Sequence, residues 1–152
     1  MDEPRFELLY DTRVELEPPQ MIGQTPQGNR QIFCVRSGTF EGPRIKGEVL
    51  PGGGDWFLLR PDNVGELDVR ATLKTHDGAL IYVSYRGIFS ASQEGWEKLA
   101  KGEPVDRDQY YFYTAPTFQT SAPDYLWLNR LLGVGIGTAV PGGVSYRVFA
   151  LL

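Results

Sequence analysis

The stretch from Ser37 to Trp56, SGTFEGPRIKGEVLPGGGDW, ends in a glycine triplet, Gly52-Gly53-Gly54, followed by Asp55 and Trp56. Glycine admits positive φ and lets a second backbone or a ligand come close. A chain bent repeatedly in this way can aim an acid and a large aromatic at whatever it encloses. There Asp55 would serve as general acid, general base or ligand anchor. On a plain wide turn it would instead bind loop amides, with Trp56 in the core. The triplet is not a phosphate loop, because no Gly-Lys-Ser/Thr is present and the flanks read as strands.

A second set comprises polar residues placed mid-strand: Arg30, Asp68, Arg70, Thr72, Tyr82, Ser84 and Arg86. On a half-exposed sheet these form the solvent face. If the apolar faces pack outward, the same set lines a lumen, as small barrels use for ligands. Arg70 is the leading candidate there, since a guanidinium grips carboxylates bidentately. Asp55 and Arg70 are therefore expected to face one cavity, with Arg30, Trp127 and Asn129 around it. Asp77, in Thr75-His76-Asp77-Gly78, is a second candidate acid or base. The aromatic runs Tyr110-Tyr111-Phe112-Tyr113 and Tyr125-Leu126-Trp127-Leu128 read mostly as core. Cys34, in an apolar strand-like run, reads as a buried structural thiol, and the lone histidine, His76, sits on a turn. One histidine with one cysteine supplies neither a typical transition-metal shell nor a Cys-His pair away from that turn.

These residues must be positioned by strands. Phe6 to Leu16 alternates, and Pro18-Pro19 stops it. Arg30 to Arg36, Pro43 to Leu50, Trp56 to Arg60 and Glu66 to Lys74 follow as strands. His76-Asp77-Gly78 turns Glu66–Lys74 into Ala79 to Phe89, a hairpin. Ser90 or Ser92 caps one helix near Gln93 to Lys101, whose Trp96, Leu99 and Ala100 form an i, i+3, i+4 stripe. Tyr110 to Thr114 and Thr117 to Thr120 are strands split by Ala115-Pro116. Pro141-Gly142-Gly143 leads into the terminal strand, Val144 to Leu152. The rhythm predicts an all-β fold: a single domain, residues 1–152, forming an antiparallel barrel of about nine or ten strands with one short helix. A two-sheet sandwich is the alternative.

Composition bounds the function. The 152 residues, 41% hydrophobic and 22% charged, fit one globular domain. A net charge of -4 argues against nucleic acid, and no apolar run approaches the ~20 residues of a membrane-spanning helix. The acidic start, MDEPRFELLY, is unlike a signal peptide, so a cytoplasmic setting is expected. No cofactor or metal is expected, and the number of apolar strand faces predicts a homodimer.

The ordered set of motifs resembles a family catalogued as DUF3237 and UPF0311. It runs through Thr25-Pro26-Gln27-Gly28-Asn29-Arg30, Gly38-Thr39-Phe40-Glu41-Gly42-Pro43 with Gly47, and Pro51-Gly52-Gly53-Gly54-Asp55-Trp56. It continues with Asp68-Val69-Arg70, Asp77-Gly78-Ala79-Leu80-Ile81-Tyr82, Tyr111-Phe112, Phe118-Gln119-Thr120 and Tyr125-Leu126-Trp127-Leu128-Asn129-Arg130. The resemblance covers nearly the whole chain and implies a β-barrel in small soluble proteins, with no established activity. The sequence departs from the family pattern at Tyr113, where arginine is common, and at Gln119, where glutamate is common.

Three functions are compatible with these residues. One is a cofactor-independent isomerase, cyclase or lyase, with Asp55 or Asp77 as acid or base and Arg30 or Arg70 stabilising an enolate-like or carboxylate group. The ligand would be a small organic molecule, carboxylate-bearing if the arginines hold it, with Trp56, Tyr82, Tyr113, Trp127 and Asn129 as further contacts. The second is a non-catalytic carrier or sensor, and the third a structural assembly module.

Overall fold

The computed structural model describes residues 2–152. Its strands are β1 (Phe6–Leu16), β2 (Gln20–Thr25), β3 (Gly28–Glu41), β4 (Lys46–Val49), β5 (Gly54–Leu59), β6 (Gly65–Thr75), β7 (Leu80–Ala91), β8 (Tyr110–Gln119), β9 (Leu132–Val140) and β10 (Gly143–Leu151). The helix α1 (Gln93–Ala100) follows β7, and a 3-10 segment, Pro123–Arg130, follows β8. All pairings are antiparallel, and β1 pairs both β10 and β3, which closes the sheet into a barrel. β1 and β2 share one side of β3, and β4 and β5 share the other, so ten strands make eight staves.

Period-2 alternation builds the wall. In β6, Leu67, Val69, Ala71 and Leu73 are buried, while Glu66, Asp68, Arg70, Thr72 and Lys74 lie on the outer face. β1 departs from simple alternation. A bulge between Leu8 and Tyr10 turns Phe6 and Leu8 outward, whereas Tyr10 and Val14 enter the core. β8 runs unbroken through Ala115-Pro116, because its ladder to β9 is made at Tyr113 and Thr114 and stops short of Pro116, which has no N–H to offer.

The two ends of the barrel differ. At the floor, the 3-10 segment packs Tyr125 and Leu128 into the core beside Phe118 and Ile81. The Tyr125 hydroxyl donates to Asp77 at the tip of the β6–β7 hairpin (3.0 Å). At the mouth, Ser92 caps α1 by accepting from the Gly95 N–H (3.0 Å), and Trp96 packs edge-to-face on Phe89, ring centroids 5.1 Å apart. The floor is filled with side chains, and the mouth half is hollow.

Candidate active site

The hollow beneath α1 has a volume of about 260 Å³. Its wall is mainly aromatic and aliphatic, with Phe33, Phe57, Phe89, Phe112 and Trp96 prominent, and it contains a single carboxyl group, that of Asp55. The glycine triplet puts that acid there. Gly52 takes φ of +103°, and a Cβ on Gly53 would stand 2.4 Å from the Arg70 carbonyl oxygen, so the chain entering β5 can hug β6 only without side chains. Asp55 then falls on the inward face of β5, with Phe57 and Leu59.

The β5–β6 ladder opens between the pairs Asp55–Val69 and Leu58–Glu66. In that gap the Asp68 N–H donates to Asp55 Oδ1 (3.0 Å). Burial pushes the Asp55 carboxyl up from 3.8 to about 6, partly offset by the Asp68 N–H bond. The nearby Asp68 charge pushes the same way as burial, and Arg30 pulls against it. Two phenols share the cavity wall, Tyr85 from β7 and Tyr146 from β10, their ring centroids 5.4 Å apart. Burial raises both hydroxyls well above the usual phenol range, and the Asp55 charge adds to the rise. Both phenols therefore stay protonated, and their hydroxyls pair with each other, one donating to the other. The result is one acid titrating at about 6 and two protonated phenols in a mainly apolar chamber, whose wall also includes Gln31 and Trp96, the latter with its buried indole N–H unpartnered.

Of the residues singled out in the sequence, Asp55 alone lines this cavity. Arg70 does not face it, contrary to expectation; it is exposed on the outer wall, with its guanidinium 5.6 Å from the Trp56 ring centroid. Trp56 is likewise outward and 37% exposed, in neither the core nor the cavity. Arg30 lies on the same outer side and donates to the Trp56 carbonyl (2.7 Å). Tyr82 and Tyr113 are also on the outer face, Tyr113 edge-on to Tyr111. Gln119 lies opposite Tyr82, so both departures from the family pattern fall on the outside of the barrel. The polar mid-strand set is thus a solvent face. Among the described residues no helix or second sheet packs on the outside of β6, and the aliphatic face takes the interior.

Asp77, Trp127 and Asn129 are at the floor, at the opposite end from the cavity. Asp77 accepts from Thr75 and Tyr125, and the Thr75 bond chiefly holds its carboxyl below the usual range. Trp127 is covered by the Arg44 guanidinium at 3.8 Å and donates to the Asp124 carbonyl. Asn129 accepts from the Thr120 N–H (3.0 Å) and donates to the Thr120 carbonyl (2.9 Å), a clasp between β8 and the 3-10 segment. Cys34 is half-buried with the Gln20 amide nitrogen 3.8 Å from its sulfur, and His76 is exposed on its turn. Among the described residues no three His, Cys, Asp or Glu side chains converge as a metal shell requires. No described helix is long and apolar enough to cross a membrane.

Sequence reasoning missed Tyr85 and Tyr146 as site residues. The available signal was a tyrosine on an otherwise aliphatic inward face, Ile81, Val83, Tyr85 and Phe89. A wider saddle of about 840 Å³ lies on the outer wall; it is open, is lined by exposed side chains such as the Asp11–Arg147 ion pair (2.9 Å), and has no buried acid.

The family model described as "Protein of unknown function (DUF3237)" matches residues 4–151. The chain belongs to the DUF3237 family. A UPF0311 protein of Clostridium acetobutylicum is 35% identical over 150 residues, 98% of this chain and 95% of the relative. A crystal structure described as a beta-barrel like protein from Acinetobacter baumannii covers 100% of this chain and 98% of its own, with TM-score 0.88 and 36% identity. This DUF3237 chain also resembles, in fold alone, a crystal structure described as an enzyme from Penicillium herquei, with TM-score 0.74 and 19% identity over 100% of this chain and 97% of the other.

Proposed function

We propose that this barrel binds a small neutral organic molecule under α1 and moves a proton on it without a cofactor, as an isomerase, cyclase or lyase. The observation that carries this reading is the lone carboxyl at about 6 beside two protonated phenols in an apolar chamber. A base with its pKa near the working pH is both available and strong enough to act. Asp55 takes or gives the proton, and the paired Tyr85 and Tyr146 hydroxyls, one donating to the other, present an O–H to oxygen as negative charge develops there. The donors replace the arginines expected from sequence. With Arg30 and Arg70 outside the cavity, no cation in it would neutralise a carboxylate substrate, so the reading favours uncharged molecules.

A panel of neutral enolisable ketones in deuterated water tests the reading, with NMR following deuterium uptake next to the carbonyl. Exchange should be at least about a hundredfold faster with the native chain than with Asp55→Asn. It should rise with pH through about 6 as Asp55 ionises. Ligands that bind equally to both proteins without exchange would make the barrel a carrier.

A further inference from the structure

A second space adjoins the cavity at its mouth. An outer cleft of about 520 Å³ lies between the Gly102–Val105 loop after α1 and the β9–β10 turn, residues 138–142. Phe89, Leu99 and Ala139 line both spaces, so the boundary between the two is apolar and is the neck a ligand spanning them would cross. Both banks are set by turns, with Gly102 at φ +70° and Gly142 at φ +71°, each accompanied by a proline, Pro104 and Pro141. Val105 and Val140 face the cleft, and its one charged lining residue, Glu103, is exposed. Small-molecule sites usually occupy roughly 300–1,000 Å³. The inner chamber alone falls just short of that range, and the two spaces together fall within it.

Resting on the acid–base reading of Asp55, we infer that the substrate is an elongated neutral amphiphile. Its compact, oxygen-bearing head sits at Asp55, Tyr85 and Tyr146. Its apolar tail passes the Phe89–Leu99–Ala139 neck and lies along Val105 and Val140. The neck offers no polar partner, so a tail crossing it must be hydrocarbon. The outer cleft has no cation, so the far end carries no anionic group.

A series of 4-alkylphenols from methyl to hexyl, titrated by calorimetry at pH 7, tests this. Affinity should climb about three- to fourfold per added methylene through the long members, as burial of each methylene predicts. Val105→Asp, on the outer bank of the cleft, should lower affinity by a factor that grows with tail length. Asp55→Asn should shift the whole series while leaving the gain per methylene intact, which separates tail from head. If 4-methylphenol binds and lengthening the tail adds nothing, the inference is overturned while the inner-site reading survives. An unchanged gain per methylene in Val105→Asp overturns it too. If no member binds, methyl included, the inner-site reading fails and the inference fails with it.

Discussion

An aspartate held at about 6 by burial destabilises the fold at neutral pH, and the sign follows from linkage. In the unfolded chain Asp55 ionises near its ordinary 3.8, and in the native protein near 6, so the native state keeps the proton longer. The favourable contribution is complete below about 4 and is lost as pH rises through about 6, a change on the order of 3 kcal/mol. Asp55→Asn keeps an oxygen to accept from the Asp68 N–H and has nothing to titrate. Urea unfolding should therefore show the variant gaining on the native chain between pH 5 and pH 8, by about 1–1.5 kcal/mol. Glu17, Asp62 and Glu94 are lowered by their partners and lose stability as pH falls, but they are common to both proteins and cancel in the difference. A gap that does not widen with pH would mean that Asp55 is not held away from water. This residue was legible in the sequence because a glycine triplet announces a chain that must pass close to another. Tyr85 was legible only as the one phenol on an apolar strand face, because its place on that face does not say how deep its hydroxyl will sit.

The elements were more legible than their orientation. Alternation divides each strand into two faces without saying which one lines the lumen. The polar face of β6 fits a lumen lining or a solvent face in sequence, and the structure puts it in solvent, with Leu67, Val69, Ala71 and Leu73 in the interior. The helix was readable from cap and stripe together, with Ser92 as the cap that forms. β9 inverts the usual pattern: Gly133, Gly135 and Gly137 face inward, and Leu132, Val134 and Ile136 face out. The reason lies in β8, whose large inward side chains lean across the space the glycines leave. A Cβ on Gly137 would stand 2.6 Å from the Phe112 ring, which packs between Phe89 and Tyr146 and lines the cavity. Gly137→Ala should therefore force that ring aside and cost about 1–3 kcal/mol by urea denaturation. A loss within about 0.5 kcal/mol would show that Phe112 can move freely, and that the cavity is softer than its packing suggests.

Viewed whole, the molecule is a barrel with a packed floor, a hollow mouth and one apolar flank. The inverted strand β9 creates the flank. Its outward Leu132, Val134 and Ile136 adjoin Phe149 and Leu151 on β10, Phe6 on β1, and Tyr113 on β8. Phe6 meets Phe149 edge-to-face with ring centroids 6.5 Å apart, and Phe6, Tyr111, Leu132 and Leu151 are between 37% and 60% exposed. Scattered apolar residues on a surface are ordinary, whereas several neighbours in one row across four strands form a patch. A closed barrel has few free strand edges for another chain to extend, so association would have to use a face. A second copy of this chain suits that face, because a two-fold interface needs one self-complementary patch and this one is apolar from Phe6 to Val134, with the Arg147–Asp11 pair beside Ile136 at one end. The expectation of a dimer that began with the count of apolar strand faces now rests on this flank. Light scattering at tens of micromolar (an order of magnitude) should give twice the chain mass. Leu132→Lys, at an exposed position of β9, should return the single-chain mass with an unchanged far-ultraviolet spectrum. A native chain that runs as a monomer at that concentration would leave the flank without a partner of its own kind.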